Sequence, residues 1–386
     1  MMATKLRGWR FLFRGDMWIW GVVFVLAAIS VVEVYSATGA LAYRTAGGNT
    51  THFLFVQVIT LGLGIGLLFL FQMIPTRVYY SWPNLPLWIG IALLVYTLLH
   101  GVEVNQAKRW IEVMGISIQP SEVVKIPLIL FLSARLARDQ KILGDFRRGV
   151  LPLICYLALV CGLVLKESAT SAVFIAAIGF IMLIIGNVRK RHLVLLAGAG
   201  VVSLVLLLLV VAPRIGIFQR GSTWSTRLET FTEGESYQAR QAKIAIAGGL
   251  IWGKGPGNST QRWALPEAHS DFIYAYTIEE FGLLMGVLVM GAYLVLLWRV
   301  RLIVLKCHDN PYRAYLCSGL AVMIGLQAFA HMFISVGLFP VTGLPLPFVS
   351  KGGTSILMTG IALGMVQSVA RQQKKEQLYE GETVTR

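Results

Sequence analysis

Four acids punctuate the stretch from Gly248 to Gly282, GGLIWGKGPGNSTQRWALPEAHSDFIYAYTIEEFG, the first of them Glu267. Asp271 stands where a glycine-rich polar run enters an apolar helix, and Glu279 and Glu280 follow inside that helix. A charged side chain at the centre of a membrane helix costs about 2.5–3.5 kcal/mol on insertion scales, so carboxylates persist there when they pair, line water or do chemistry. A partly desolvated carboxylate is a stronger base than one in water. Removing a proton from a hydroxyl nucleophile with such a base adds about 10²–10⁴-fold to a rate. Asp271 is therefore the candidate catalytic residue, with Glu267 and His269 beside it as candidate substrate contacts. The ordinary alternative is that Ser270 and Asp271 open the helix, capping its free amides and complementing its dipole.

Two further segments carry polar groups in apolar surroundings. In NQAKRWIEVMGISIQPSEVVK (Asn105–Lys125), Lys108 and Arg109 sit beside Trp110, and a helix then starts through Gln119, Pro120, Ser121 and Glu122. Proline in a first turn and tryptophan at an interface are commonplace. Glu122 and Lys125 are not: three residues apart on one helix face, they allow a buried ion pair, and either could also face a polar substrate. In GLFPVTGLPLPFVSKGGTS (Gly337–Ser355), prolines and glycines exclude a continuous helix. Such backbone is tolerated at membrane depth only when packed in protein or lining a cavity. Its last residues, Ser350, Lys351, Gly352 and Gly353, would place a cation beside an anionic ligand; a purely structural re-entrant turn is the plainer reading. GGLIWGKG (Gly248–Gly255) falls short of a phosphate-cradling loop because Gly255 stands where Ser or Thr is required.

These segments need elements to hold them, and composition says which. Of 386 residues 56% are hydrophobic and 14% charged, against about 25% charged in soluble domains. The expected fold is all-α, a single polytopic membrane domain over 1–386. Apolar runs of spanning length fall at 17–37, 53–74, 84–100, 120–137, 149–166, 168–187, 192–212, 270–298, 312–337 and 353–370, with Lys166 and Glu167 as a tight turn between the fifth and sixth. With the N-terminus inside, inner segments hold 21 Lys and Arg, and the short outer loops hold five. The positive-inside rule then puts both termini in the cytoplasm, with a long outer loop over 213–270 between the seventh and eighth spans. Basic inner loops facing anionic lipid account for most of the net charge of +15, so nucleic acid is not an implied partner. Cys155, Cys161, Cys307 and Cys317 lack the spacing of a disulfide framework or metal site.

LPEAHSDFIYAYTIEE, NQAKRWI with ISIQPSEVVK, and PVTGLPLPFVSKGGTS together resemble the signature blocks of the SEDS family of shape, elongation, division and sporulation proteins. The GPGNSTQ run is more similar to the division branch than to the elongation branch. The resemblance implies a peptidoglycan glycosyltransferase that polymerises lipid II at the outer face of the bacterial cytoplasmic membrane, at the septum for a division member. It places the family's essential acid on Asp271, its basic-aromatic block on Arg109 and Trp110, and its QPSE block on Gln119 to Glu122 with Lys125. It also implies undecaprenyl-pyrophosphate-linked glycan as ligand, with a class B penicillin-binding protein and other divisome proteins as partners. Departures stand at Gln106, where glycine is usual, and at Lys351, where tyrosine is usual. A Pro-Asp pair common near the sixth span is replaced by the run Lys166–Thr170. Candidates to face the departing pyrophosphate are Arg109, Lys125, Lys351, Arg220, Arg227 and Arg240, and a divalent cation (magnesium or manganese) could assist. Intramembrane charge and broken helices also suit a lipid II flippase, but the polar blocks cluster at outer helix ends rather than along a path through the bilayer.

Overall fold

A computed structural model describes residues 15–39, 50–104, 107–113, 116–206, 236–264 and 269–384. The helices are α1 (Met17–Ala37), α2 (Thr50–Met73), the short α3 (Thr76–Ser81) and α4 (Asn84–His100). Three strands follow, β1 (Val102–Val104), β2 (Ala107–Val113) and β3 (Ile116–Ile118), then α5 (Pro120–Val123) and α6 (Lys125–Arg138). A π-turn at Phe146–Val150 leads into α7 (Leu151–Glu167), α8 (Ala169–Ile185) and α9 (Lys190–Leu206). The last four are α10 (Tyr237–Gly249), α11 (Ile273–Leu305), α12 (Pro311–Ser335) and α13 (Gly353–Val384).

The chain is a multi-pass membrane protein. Among the described residues six helices have the length and hydropathy to cross a bilayer, and α4 and α8 are shorter apolar helices. The two remaining expected spans fare differently. The run 120–137 is divided into α5 and the 14-residue α6, which packs among α4, α7, α8 and α12. Most of α6 is buried, so its apolar residues face protein rather than lipid. The run 192–212 corresponds to α9, described only as far as Leu206. The expected turn at Lys166 and Glu167 lies one residue later: α7 runs through Glu167, and Ser168 alone joins it to α8, its Oγ accepting from the Ser171 amide at 3.3 Å.

The segment Gly101–Pro120 is a three-stranded antiparallel sheet in the order β1-β2-β3. Val102 pairs with Trp110 and Val104 with Ala107; on the other side Ile111 pairs with Ile118 and Val113 with Ile116. Two-residue connections (105–106 and 114–115) separate the strands, the length that favours tight hairpins. The sheet sits over the ends of α4, α7 and α13.

Helices α2 and α13 pack backbone to backbone, and glycine permits it. A Cβ on Gly360 would lie 2.2 Å from the Gly64 carbonyl oxygen, and one on Gly364 would lie 2.5 Å from that of Leu68. Small residues four apart let membrane helices pack backbone to backbone. This seam carries the start of α13, and with it Ser350–Gly353, against the rest of the bundle.

Candidate active site

The site is assembled around the re-entrant turn between α12 and α13. Its carbonyls cannot bond within a helix, and each one named here has a side-chain donor. His331 Nδ1 donates to Leu344 O at 2.7 Å, Gln327 Nε2 to Pro345 O at 3.0 Å, and the Tyr293 hydroxyl to Pro347 O. The Ser30 hydroxyl donates to Val349 O at 2.8 Å and is itself held by Gln57 Nε2, also at 2.8 Å. Donors from α1, α11 and α12 thus hold the turn from three sides. All of these polar side chains are amide, imidazole or hydroxyl groups, the kind an apolar interior accommodates most cheaply when bonded.

The Asp271 segment is fastened to the same turn. The Ser350 hydroxyl, buried, accepts from the Leu346 amide and donates to Ser270 O, both at 2.7 Å; the Lys351 amide donates to His269 O at 2.9 Å. Asp271 is half-buried, with its carboxylate against Gly343: a Cβ there would lie 3.4 Å from Oδ2. Contrary to the expectation that the helix opens at Asp271, α11 begins at Ile273 with Phe272 as N-cap and no side-chain cap bond. The acid therefore lies in the turn before the helix, not in its first turn.

The QPSE block reaches the turn from below. Lys125 Nζ is 2.7 Å from Glu122 Oε1, closing the ion pair the spacing allows, and donates to Gln327 Oε1 at 3.1 Å. Both charged groups are about 5% exposed. Lys125 also lies over the Phe174 ring, 5.1 Å from its centroid. It is thus committed to internal partners and to holding Gln327. The Gln119 amide donates to Thr354 Oγ1 at 3.1 Å, and that hydroxyl donates to Ser117 O at 3.1 Å, fastening β3 to the start of α13 just after Gly352 and Gly353. Ser121 is fully buried. Arg109 Nε donates to Glu167 O at 2.8 Å, bridging β2 to the α7–α8 joint, and Trp110 is half-buried beside it on β2. Lys108 is on β2 with its backbone paired to Glu103. Lys351 Nζ stands 4.2 Å from the Phe53 ring centroid on α2, a cation–π contact. Glu267, Arg220 and Arg227 lie outside the described residues, and Arg240 is on α10.

Glu279 and Glu280 have a structural task. Helix α11 breaks at Gly282 (φ 81°, ψ 174°), which frees carbonyls above the break and amides below it. The segment after α10 supplies the missing partners. The amides of Lys254 and Gly255 donate to Glu279 O and Glu280 O at 2.9 and 2.8 Å, and the Leu283 amide donates to Leu250 O at 2.9 Å. Backbone packs directly on backbone: a Cβ on Gly253 would lie 2.2 Å from Glu280 O, and one on Gly282 would lie 2.1 Å from Ile251 O. The Glu279 carboxylate accepts from Lys254 Nζ (2.6 Å), Ser259 Oγ (2.5 Å) and the Thr260 amide (3.0 Å). Glu280 accepts from Ser36 Oγ (2.7 Å), the Tyr276 hydroxyl (2.6 Å) and the Gly257 amide (3.0 Å). The glycines and lysine of GGLIWGKG thus serve this join.

Sequence reading missed Ser30, Gln327, His331 and Tyr293, the donors to the turn, and Glu33, a fully buried acid on α1. Isolated polar residues within the apolar runs were the available signal.

The arrangement defines a polytopic membrane protein with an acid held at one membrane face by a re-entrant turn. The chain belongs to the FtsW/RodA/SpoVE family: the family profile, described as a cell cycle protein, matches residues 16–375. It is 33% identical over 371 residues to the probable peptidoglycan glycosyltransferase FtsW of Coxiella burnetii, covering 92% of this chain and 96% of that one. A chain of a peptidoglycan synthase complex in which polymerization and crosslinking are coordinated superposes with a TM-score of 0.71 at 27% identity, covering 93% of this chain and 98% of that one. The rod shape determining protein RodA of Thermus thermophilus superposes with a TM-score of 0.68 at 25% identity, covering 93% and 97%.

Gly343 has φ 73° and touches the Asp271 carboxylate. Gly343→Ala should lower stability by about 1–2 kcal/mol, the cost of the left-handed backbone for an L-residue. Its effect on glycan polymerisation should be larger, about 10²-fold, because relief of the left-handed backbone would shift the turn that faces the acid. Thermal unfolding and a polymerisation assay on the same preparation read the two effects separately; unchanged turnover would show that this turn does not set the carboxylate's position.

Proposed function

We propose that this chain polymerises lipid II into glycan strands at the outer face of the bacterial cytoplasmic membrane, with Asp271 as general base. The reaction class is that of a peptidoglycan glycosyltransferase, the activity carried in the names of its FtsW relatives. The observation that supports the catalytic role is the position of Asp271: half-buried, ahead of the helix rather than its N-cap, and fixed through Ser270 and Gly343 to a turn braced by three helices.

In the reaction, the 4-hydroxyl of a GlcNAc attacks the anomeric carbon of a lipid-linked MurNAc. The new C–O bond forms as the bond to undecaprenyl pyrophosphate breaks, and the hydroxyl proton passes to Asp271. The leaving pyrophosphate needs positive charge aimed at it. Lys125 is closed on Glu122 and Lys254 on Glu279, so Arg109, Lys351 and basic residues of the 213–270 loop are the candidates. Among the described residues no group of three or more His, Cys, Asp or Glu could hold a metal. A magnesium or manganese ion would bind pyrophosphate oxygens, the usual manner for magnesium with phosphate substrates.

Asp271→Asn keeps the side chain's size and removes its basicity. It should leave expression and partner binding intact and lower polymerisation of purified lipid II by about 10²–10⁴-fold; near-normal product would remove Asp271 from this role. A flippase would move lipid II without making glycan, so product formation also separates these two readings.

Lys351 is the cation nearest to the acid in sequence among those joined to the turn. Lys351→Met should lower both turnover and lipid II affinity, since pyrophosphate is already present in the ground state, and Lys351→Arg should rescue only in part because its charge is spread over a planar fork. Wild-type turnover and affinity in Lys351→Met would remove this lysine from pyrophosphate binding.

A partner follows from the same reading: a class B penicillin-binding protein to crosslink the strands, as in the peptidoglycan synthase complex that this chain resembles. The division-type relatives favour the septum, with other divisome proteins, as the place of work. Co-purification should yield a stable pair with raised polymerase activity; failure of every transpeptidase of the source cell to bind or stimulate would exclude it.

A further inference from the structure

At the end of the bundle opposite Asp271, the start of α1, the end of α11 and the tail of α13 enclose a recess of about 290 Å³. It is lined by Asp16, Trp18, Arg299, Lys306 and Lys374, among others. Arg299 forks onto the Asp16 carboxylate, with Nε at 3.1 Å and Nη2 at 2.5 Å from Oδ2. That carboxylate also caps α1, accepting from the Trp18 amide at 2.9 Å. Asp16 therefore balances Arg299 and has no capacity for the two lysines. Lys374 Nζ donates one hydrogen to Gly15 O at 2.6 Å, which leaves its charge uncompensated. Lys306, exposed at the C-cap of α11, makes no side-chain hydrogen bond or ion pair among the described residues. The recess thus holds two positive charges beyond its own ion pair.

Its other wall is apolar and faces outward. Met17 is 61% exposed and Trp18 is 64% exposed at the first turn of α1, beside Leu302 on α11. Tryptophan at a helix end marks the headgroup level of a bilayer. A basic recess between helices at that level fits an anionic headgroup, and an adjoining apolar shelf fits the carbons below it. A soluble anion would have no use for the shelf.

We propose that this recess binds the phosphodiester headgroup of an anionic phospholipid, with Lys306 and Lys374 on the phosphate and Met17 and Trp18 against its glycerol and first methylenes. The name of the leaflet, cytoplasmic, rests on the sidedness adopted for the proposed function; the site itself does not. Lys306 also complements the C-terminal dipole of α11, and the double variant below separates that role from lipid binding.

The test uses the purified full chain with dioleoyl phosphatidylglycerol, dioleoyl phosphatidylcholine or inorganic phosphate, with lipids retained by the protein counted by native mass spectrometry. The wild type should retain phosphatidylglycerol in preference to phosphatidylcholine. Lys306→Gln combined with Lys374→Gln should reduce that preference by roughly fivefold for each lysine, and Lys306→Arg with Lys374→Arg should restore it. Trp18→Ala should weaken retention of both lipids. Equal preference in the wild type and the Gln double variant would overturn the proposal. Displacement of phosphatidylglycerol by inorganic phosphate at matched concentration would overturn the lipid assignment and leave a simple anion site. Because no lipid II is present, the outcome does not depend on whether Asp271 is the base; polymerisation in detergent should be unchanged in the Gln double variant.

Discussion

A backbone that leaves helical geometry inside a membrane must still bond its carbonyls and amides, because hydrocarbon offers no substitute. The turn after α12 meets that demand with side chains from other helices. His331 and Gln327 stand four residues apart on α12 and so share one face. Ser30 and Tyr293 close the far side from α1 and α11. Each donor holds one carbonyl, and their common effect is to fix a proline-rich segment that has no regular structure of its own. Everything placed at the site is referred to that segment: Ser270 through Ser350, His269 through the Lys351 amide, Glu122 and Lys125 through Gln327, and Asp271 through its contact with Gly343.

The same constraint is met differently at Gly282, with backbone instead of side chains. There the segment after α10 bonds the carbonyls above the break and an amide below it, and glycines admit the approach. The break also changes where charge can go. Glu279 and Glu280 lie at the last turn before it, and the segment that repairs the helix brings Lys254, Ser259, Thr260 and the Gly257 amide to their carboxylates. Removing a buried ion's partner costs about 3–5 kcal/mol. The join between α10 and α11 is thus held by charge as well as by backbone, and it keeps the half-helix that follows Asp271 in one place.

Much of the site was legible in the sequence because acids and glycines are conspicuous in apolar runs. Asp271, the Glu122–Lys125 spacing and the non-helical Gly337–Gly353 segment all stood out on those grounds. The sheet did not, although β-branched residues in VEV, WIEV and ISI separated by two-residue gaps carry the strand signal; tryptophan, lysine and proline there have an equally good reading as interface anchors and a helix start. The eighth span begins at Ile273, three residues after the expected boundary at 270, because Ser270 and Asp271 have capping chemistry but the turn's own bonds hold them outside the helix. The expected fourth span is helical but divided at Val124 into α5 and α6; hydropathy is the same whether a helix faces lipid or protein, and only packing shows that α6 is enclosed. Gln327 and His331 were invisible because a neutral polar residue in a span declares a hydrogen bond without naming its partner.

Charge allocation then separates the acids by role. Glu122, Glu279 and Glu280 each lie fully inside protein and each has a cation within reach: Lys125 at 2.7 Å, Lys254 at 2.6 Å and Arg262 at 3.7 Å. A buried carboxylate is tolerated inside protein when a cation and hydrogen-bond donors answer its charge, and each of these three has such partners. Asp271 is less buried than these and lies at the rim of the turn, the placement that the proposed role as base calls for. The three enclosed pairs hold the frame, and Asp271 stands at its rim against the turn.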